Sequence, residues 1–202
     1  MPSGSPGAIK NIASASVDRQ QSIGQTEAIP SIVELMRSPN EALSTLAAFT
    51  LATLTHNHRV NEEIAAECGA LPRTIELLRT GTGQLQEAAT ALLKSLVAND
   101  SNGAAAVQQG AMQPLVAILH DGVPSCRELA IWALNSICML PECEAAAESA
   151  GVVPALVQLL TNAPVGVKEA AAKALSNLAG TKTLKTAVAS STCVAPLVLL
   201  LQ

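Results

Sequence analysis

Apolar residues recur at helical spacing through most of this chain, and one block shows the pattern most plainly. In Lys168–Gly180, KEAAAKALSNLAG, positions Ala170, Ala171, Ala174, Leu175 and Leu178 form a broad apolar stripe. Glu169, Lys173 and Asn177 stand at i, i+4 and i+8, so they stack as one polar row on a different face. The spacing predicts an amphipathic helix with one face to bury. The same block returns upstream at a fixed interval.

The interval is set by five similar openings: TEAIPSIVELM from Thr26, CGALPRTIELL from Cys68, QGAMQPLVAIL from Gln109, AGVVPALVQLL from Ala150 and STCVAPLVLLL from Ser191. The residues at their glycine position are Glu27, Gly69, Gly110, Gly151 and Thr192, separated by 42, 41, 41 and 41 residues. Self-similarity at about 40 residues is the signature of an α-solenoid. Gly is expected to end the preceding helix with φ > 0, and Pro30, Pro72, Pro114, Pro154 and Pro196 to stand at or near the first position of the next. A short apolar helix follows, such as Ile32–Met36 or Ala155–Leu160. Breakers stop it at Ser38-Pro39-Asn40, Gly81-Thr82-Gly83, Asp121-Gly122 and Asn162-Ala163-Pro164. A long helix comes next, over Leu43–Thr55, Gln84–Ala98, Cys126–Met139 and Val167–Ala179. A polar turn and a short helix close each unit: Asn61–Cys68, Asn102–Gln109, Cys143–Ala150 and Leu184–Ser190.

None of these helices could bury its stripe alone, so stacking on neighbours is required. The expected division is a flexible lead over 1–6, a partial repeat over 7–25, and repeats over 26–67, 68–108, 109–149 and 150–190. A partial repeat over 191–202 completes it.

The polar row can be followed through the array. Its last residue is Asn11, Thr53, Ser95, Ser136 and Asn177; its middle residue is Phe49, Ala91, Trp132 and Lys173; its first is Thr45, Glu87, Glu128 and Glu169. Phe49 and Trp132, the two aromatic residues of the chain, therefore share one repeat position, 83 residues apart.

The openings GA-[IL]-P-x-[LV]-V-x-L-L, followed by Q-E-A-A-x-A-L-x-N-L-A, resemble the armadillo repeat from about Gly7 to Gln202. The two-helix HEAT repeat lacks the extra short helix and the Gly-Pro openings. The resemblance implies an all-α right-handed superhelical solenoid, with about three helices per repeat, in which the third helix lines a concave groove. In that family a groove Asn holds the backbone of an extended peptide, and a Trp one turn earlier flanks its side chains. Asn11 and Asn177 match the Asn, Trp132 matches the Trp, and Phe49 is an aromatic substitute. Thr53, Ser95 and Ser136 depart from Asn, and Ala91 and Lys173 from Trp, which argues against a nuclear-import receptor. If Glu87, Glu128 and Glu169 also face the groove, they favour a ligand bearing Lys or Arg; Lys94, Arg127 and Lys168 nearby make the field mixed. Each of these assignments has a structural counterpart. Trp132 could cover an apolar gap beside Leu129, Ile131 and Leu134, Ser and Thr could bond back to the i−4 carbonyl, and the Glu row could favour helix N-termini.

Composition agrees with a folded chain. Of its 202 residues 49% are hydrophobic and 14% charged, and a chain of this length buries roughly 70% of its unfolded surface. A net charge of −4 argues against a nucleic-acid partner, which normally needs a basic face. The five cysteines lack disulfide or zinc spacing and read as reduced thiols, mostly buried, in a cytoplasmic or nuclear protein. No apolar run reaches the roughly 18 residues of a membrane span. His56 and His58 read as a solvated loop pair, and no catalytic motif, cofactor site or metal site is recognised. The expected function is a non-enzymatic scaffold for a protein or extended peptide. Alternatives are the substrate-binding part of a larger ubiquitin ligase, a nuclear-import-type adaptor, and a structural role in a cilium or filament. The chain opens on a third helix and ends on an uncovered second one, which predicts a longer array or self-association through the ends.

Overall fold

The computed structural model describes residues 27–182 and 184–191, and every regular element among them is helical. Asn11, Pro196, Thr192, the lead, the partial repeat over 7–25 and all but Ser191 of the partial repeat over 191–202 lie outside the described residues. In chain order the α-helices are α1 (Ala28–Leu35), α2 (Glu41–Thr55), α3 (Arg59–Glu67), α4 (Ala70–Thr80), α5 (Gly83–Leu96) and α6 (Asp100–Gln108). They continue as α7 (Met112–Asp121), α8 (Pro124–Cys138), α9 (Glu144–Ser149), α10 (Val152–Asn162), α11 (Val165–Leu178) and α12 (Leu184–Ser190). A 3-10 turn at Pro141–Cys143 precedes α9, so the expected helix Cys143–Ala150 is shorter and begins differently. No single helix among the described residues is long and apolar enough to cross a membrane.

The backbone divides into two compact units, with the boundary between Asn102 and Gly103. In the first, α2 lies along α5, α4 packs on α5, and α1 packs on α2. In the second, α8 lies along α11, α10 packs on α11, and α7 packs on α8. Each unit thus contains two long helices side by side. Both pairs bury small residues: Ala47, Ala48, Ala88 and Ala89 in the first unit and Ala130, Ala133, Ala171 and Ala174 in the second. The whole predicted stripe of α11, from Ala170 to Leu178, is buried as well.

The turns explain where helices stop and start. Gly69, Gly110 and Gly151 adopt φ of 80°, 79° and 74°, the left-handed conformation expected of a residue that ends one helix and frees the chain to start another. Glu27, at the matching position, takes φ −72° instead. The prolines stand two residues deeper than the N1 position: helices begin at Ala28, Ala70, Met112 and Val152, so Pro30, Pro72, Pro114 and Pro154 are their third residues. Pro is tolerated there because the first turn has no intrahelical acceptor for its N–H groups. The long helices also start earlier than expected. Asn40 caps α2, its side-chain oxygen accepting from Leu43 N at 3.2 Å, which places Glu41 inside the helix.

Helix ends are closed by polar side chains. The Met36 carbonyl accepts from Ser44 Oγ at 2.8 Å and from both Nε and Nη2 of Arg73, at 2.9 and 2.8 Å. Asn61 Nδ2 donates to Leu54 O at 2.8 Å, and Asn102 Nδ2 donates to Leu96 O at 3.1 Å, closing the ends of α2 and α5. His58 corrects the solvated reading: it is buried and caps α3, its Nδ1 accepting from Asn61 N at 3.3 Å. His56 is exposed. Among the four described cysteines Cys126, Cys138 and Cys143 are buried and Cys68 is half-buried; all are free thiols. Burial pushes the Cys138 thiol up to about 12, with Cys143 and Glu144 adding to it, which keeps it neutral and unreactive.

An internal comparison isolates one constraint. Gly81, Gly122 and Ala163 occupy matching positions 41 residues apart, each just after a helix. A Cβ on Gly81 or Gly122 would lie 2.6 Å from the carbonyl oxygen four residues earlier. Ala163 carries that Cβ with a shifted backbone: its φ is −103°, against −74° and −70°. Its N–H bond to Leu159 O lengthens to 3.3 Å, against 2.8 and 2.9 Å at the glycines. Gly122→Ala is therefore expected to cost about 1–2 kcal/mol in chemical denaturation, because Ile118 Cγ2 also lies 2.8 Å from the new Cβ. No loss would mean that the turn relaxes freely to the Ala163 geometry.

A second expectation concerns pH. Glu62 is buried, and its carboxyl is raised above the usual range, first by burial and then by the neighbouring Glu63 charge. A folded-state value above the unfolded one means that the ionised carboxylate opposes folding at neutral pH, and that this opposition disappears as pH falls through the carboxylate range. Glu62→Gln, which keeps an acceptor for the His58 backbone N–H, should raise the melting temperature at pH 7. The difference from wild type should close toward pH 4. A lower melting temperature at pH 7 would refute this account.

Candidate functional site

The polar row is displayed on the paired long helices, and each unit carries two of its members. In the first unit, Thr45, Phe49 and Thr53 lie on α2 and Glu87, Ala91 and Ser95 on α5. A cleft of about 660 Å³ opens at the N-terminal ends of these helices. It is lined by Glu41, Ala42, Thr45, Leu46 and Phe49 from α2 and by Gln84 and Glu87 from α5. The row thus supplies Thr45, Phe49 and Glu87, while Glu41, Leu46 and Gln84 were not singled out from sequence. The Asn40 cap was the signal that would have placed Glu41 on the helix.

The end of the row is turned inward in this unit. Thr53 Oγ1 donates to Phe49 O at 2.9 Å, the i−4 bond weighed as an alternative for this residue. Ser95 is buried, and its Oγ lies 3.0 Å from Thr55 Oγ1. Thr55 has one proton, and its Oγ1 is also 2.9 Å from Leu51 O. With that proton on Leu51 O, Ser95 supplies the one in the shared bond. Ser95 therefore ties α2 to α5.

In the second unit, Glu128, Trp132 and Ser136 lie on α8 and Glu169, Lys173 and Asn177 on α11. Trp132 is half-buried and Lys173 exposed, and the Lys173 ammonium sits over the indole, 4.9 Å from the ring centroid. Glu169 lies one turn before Lys173, yet no ion pair forms between them among the described residues. The magnitudes agree with that choice. An exposed i, i+4 ion pair contributes about 0.3–0.5 kcal/mol, and a cation over an indole at an exposed site contributes about 0.5–1 kcal/mol.

Asn177 Nδ2 donates to Asn135 Oδ1 at 3.1 Å, another tie between neighbouring long helices. Asn135 was missed because it precedes the row by one residue. Ser136 Oγ donates to Trp132 O at 3.2 Å, again the i−4 pattern. The Glu128 carboxylate lies against the first turn of α11, where a Cβ on Gly166 would stand 2.8 Å from its Oε1. The helix-terminus reading of the Glu row thus changes partner. Glu87, Glu128 and Glu169 are each the fifth residue of their own helix, beyond its first turn, and Glu128 instead approaches the N-terminus of the next long helix.

A family model described as the plant U-box protein ARM repeat region matches residues 9–202. The chain belongs to this armadillo repeat family. Solved armadillo structures superpose closely. A designed armadillo repeat protein in complex with the peptide (KR)4 is 23% identical, with a TM-score of 0.89, over 96% of this chain and 82% of that one. An engineered protein is 26% identical with a TM-score of 0.89, over 98% of this chain and 82% of its own. A computationally designed armadillo repeat protein for modular peptide recognition is 24% identical with a TM-score of 0.85, over 96% and 84%. The all-α armadillo solenoid expected from the repeat openings is therefore the fold of this chain.

Within this armadillo fold the Thr55–Ser95 bond gives a testable energy. Thr55→Val leaves buried Ser95 short of a partner and should cost about 1–2 kcal/mol in denaturant unfolding. Thr55→Val combined with Ser95→Ala should recover part of that loss. A double variant less stable than the sum of the singles would refute the pairing.

Proposed function

We propose that this armadillo chain is a non-enzymatic scaffold that binds an extended protein segment along its paired long helices. The observation that carries the reading is the cleft between α2 and α5, which opens where Thr45, Phe49 and Glu87 of the polar row converge. A side chain of an extended ligand fits such a recess, and its main chain would meet small polar groups further along the row. The residues proposed to face the ligand are Phe49, Thr53 and Glu87 in the first unit, and Glu128, Trp132, Ser136, Glu169, Lys173 and Asn177 in the second; Ser95, expected in the same set from sequence, is buried against Thr55 and drops out of it. Asn11 belongs to the same set by sequence alone. Two of the similar armadillo structures, one solved with (KR)4 and one designed for modular peptide recognition, support a peptide ligand. Glu41 and Glu87 in the cleft favour a ligand with Lys or Arg at that point.

A second reading gains from the family description. In a U-box protein, an ARM repeat region of this kind would hold the substrate while ubiquitin transfer takes place outside these residues. The two readings share one binding surface. A nuclear-import-type adaptor is less favoured, because Ala91 and Lys173 replace the flanking aromatic. We further propose a cytoplasmic location, with a nuclear one as the alternative, because the cysteines lack disulfide spacing.

The test uses the partner recovered by pull-down with the whole chain. A well-buried Trp at the centre of an interface contributes about 2 kcal/mol or more. Trp132→Ala should therefore weaken binding by about thirtyfold with an unchanged melting temperature, and Phe49→Ala should weaken it less. Unchanged affinity in Trp132→Ala, with the fold intact, would sink the proposal.

A further inference from the structure

The Trp132 face holds a cation that the chain supplies itself. Lys173 occupies the repeat position that Trp132 occupies one repeat earlier, 41 residues before it. Its ammonium nevertheless reaches back across the helix pair and sits 4.9 Å from the centroid of the indole. Around this contact the chemistry is that of a cation seat. The ring presents a negative π-face; Glu128 stands four residues before Trp132 and Glu169 four residues before Lys173, each one turn N-terminal on its own helix. Without Lys173 the same surface would draw a Lys or Arg from a ligand. With Lys173 in place, an arriving cation meets a like charge and finds the ring face filled.

We propose that Lys173 is a specificity-determining residue that fills the Trp132 cation seat, so that a ligand segment crossing the second unit carries a non-cationic side chain at this point. The inference rests on the peptide-binding reading and refines it. The first-unit cleft keeps Glu41 and Glu87 for a ligand cation, whereas the second unit satisfies its own. The device costs little in stability, because Lys173 is exposed and is chosen over the Glu169 ion pair without any buried charge. It also makes the selectivity depend on one side chain.

The chain has one Trp and no Tyr, so its intrinsic emission reports on Trp132 alone. Lys173→Met keeps the length of the side chain and removes the charge, and Lys173→Arg keeps the cation. Lys185→Met, at an exposed position of α12, removes the same charge elsewhere and serves as the control for net charge. The intact 202-residue chain and these variants are titrated with the alternating Lys-Arg octapeptide (KR)4, following both emission and affinity.

Lys173→Met should shift the emission of the free protein and tighten (KR)4 binding about five- to tenfold, with the added peptide perturbing Trp132 emission. Lys173→Arg should behave like wild type, and Lys185→Met should change affinity less than twofold. Three results would overturn the proposal. The first is unchanged free-protein emission in Lys173→Met, which would mean that the contact is absent in solution. The second is equal tightening in Lys173→Met and Lys185→Met, which would reduce the effect to net charge. The third is failure of (KR)4 to bind Lys173→Met at all. In each case the peptide-binding reading stands or falls separately, on the Trp132→Ala measurement with the pulled-down partner.

Discussion

The lateral packing of one long helix against the next is the constraint on which the rest of this structure depends. An amphipathic helix of 14 or 15 residues, such as α5 or α2, cannot bury its apolar stripe by itself, and small residues decide how closely two can approach. Ala47, Ala48, Ala88 and Ala89 are buried where α2 packs along α5 in the first unit's core, and Ala130, Ala133, Ala171 and Ala174 are buried in the second, where α8 packs along α11. Close approach brings backbone ends and polar side chains out of water, so each needs a partner. Asn61 and Asn102 take the carbonyls at the ends of long helices, Ser95 and Thr55 share one bond, and Asn135 and Asn177 share another. The polar groups at these contacts are consequences of the packing, and they lock its register.

The same packing decides what the polar row can offer. A row of Ser, Thr and Asn in the sequence looks like a set of open hydrogen-bonding groups. In the fold, Thr53 and Ser136 turn their hydroxyls to their own backbone, and Ser95 and Asn177 face the neighbouring long helix. The most open chemistry of the first unit is displaced toward the N-terminal ends of its helices, where Glu41, Gln84 and Glu87 surround the cleft. The second unit pairs its aromatic with a cation of its own. Matching positions in one repeat family thus carry different chemistry in the two units.

Much of the architecture was legible before the coordinates. The period near 41 residues, the left-handed glycines and the buried stripe of α11 follow from spacing and from the backbone freedom of Gly. Helix starts were displaced by about two residues, because Pro is accepted through the first turn and not solely at its first position, and because Asn40 acts as a cap where a breaker was expected. His58 was misread for a related reason: a loop histidine next to a helix start is also a capping acceptor, and a polar residue satisfied in that way can be buried.

The sequence by itself therefore determined the helices, their repetition and the face each must hide, since 3.6-residue periodicity and turn chemistry are local properties of the chain. It also marked Trp132 and Phe49 as a pair at one repeat position. Only the tertiary structure decided the partners: that Lys173 covers Trp132, that Asn177 reaches Asn135, that Glu128 meets the first turn of α11, and that Glu41 joins Glu87 at a cleft. The physical reason is that these contacts depend on the lateral offset and axial register between helices about 41 residues apart, and on which rotamer each side chain takes there. Periodicity fixes the direction in which a residue points, and the neighbour it meets is set by packing.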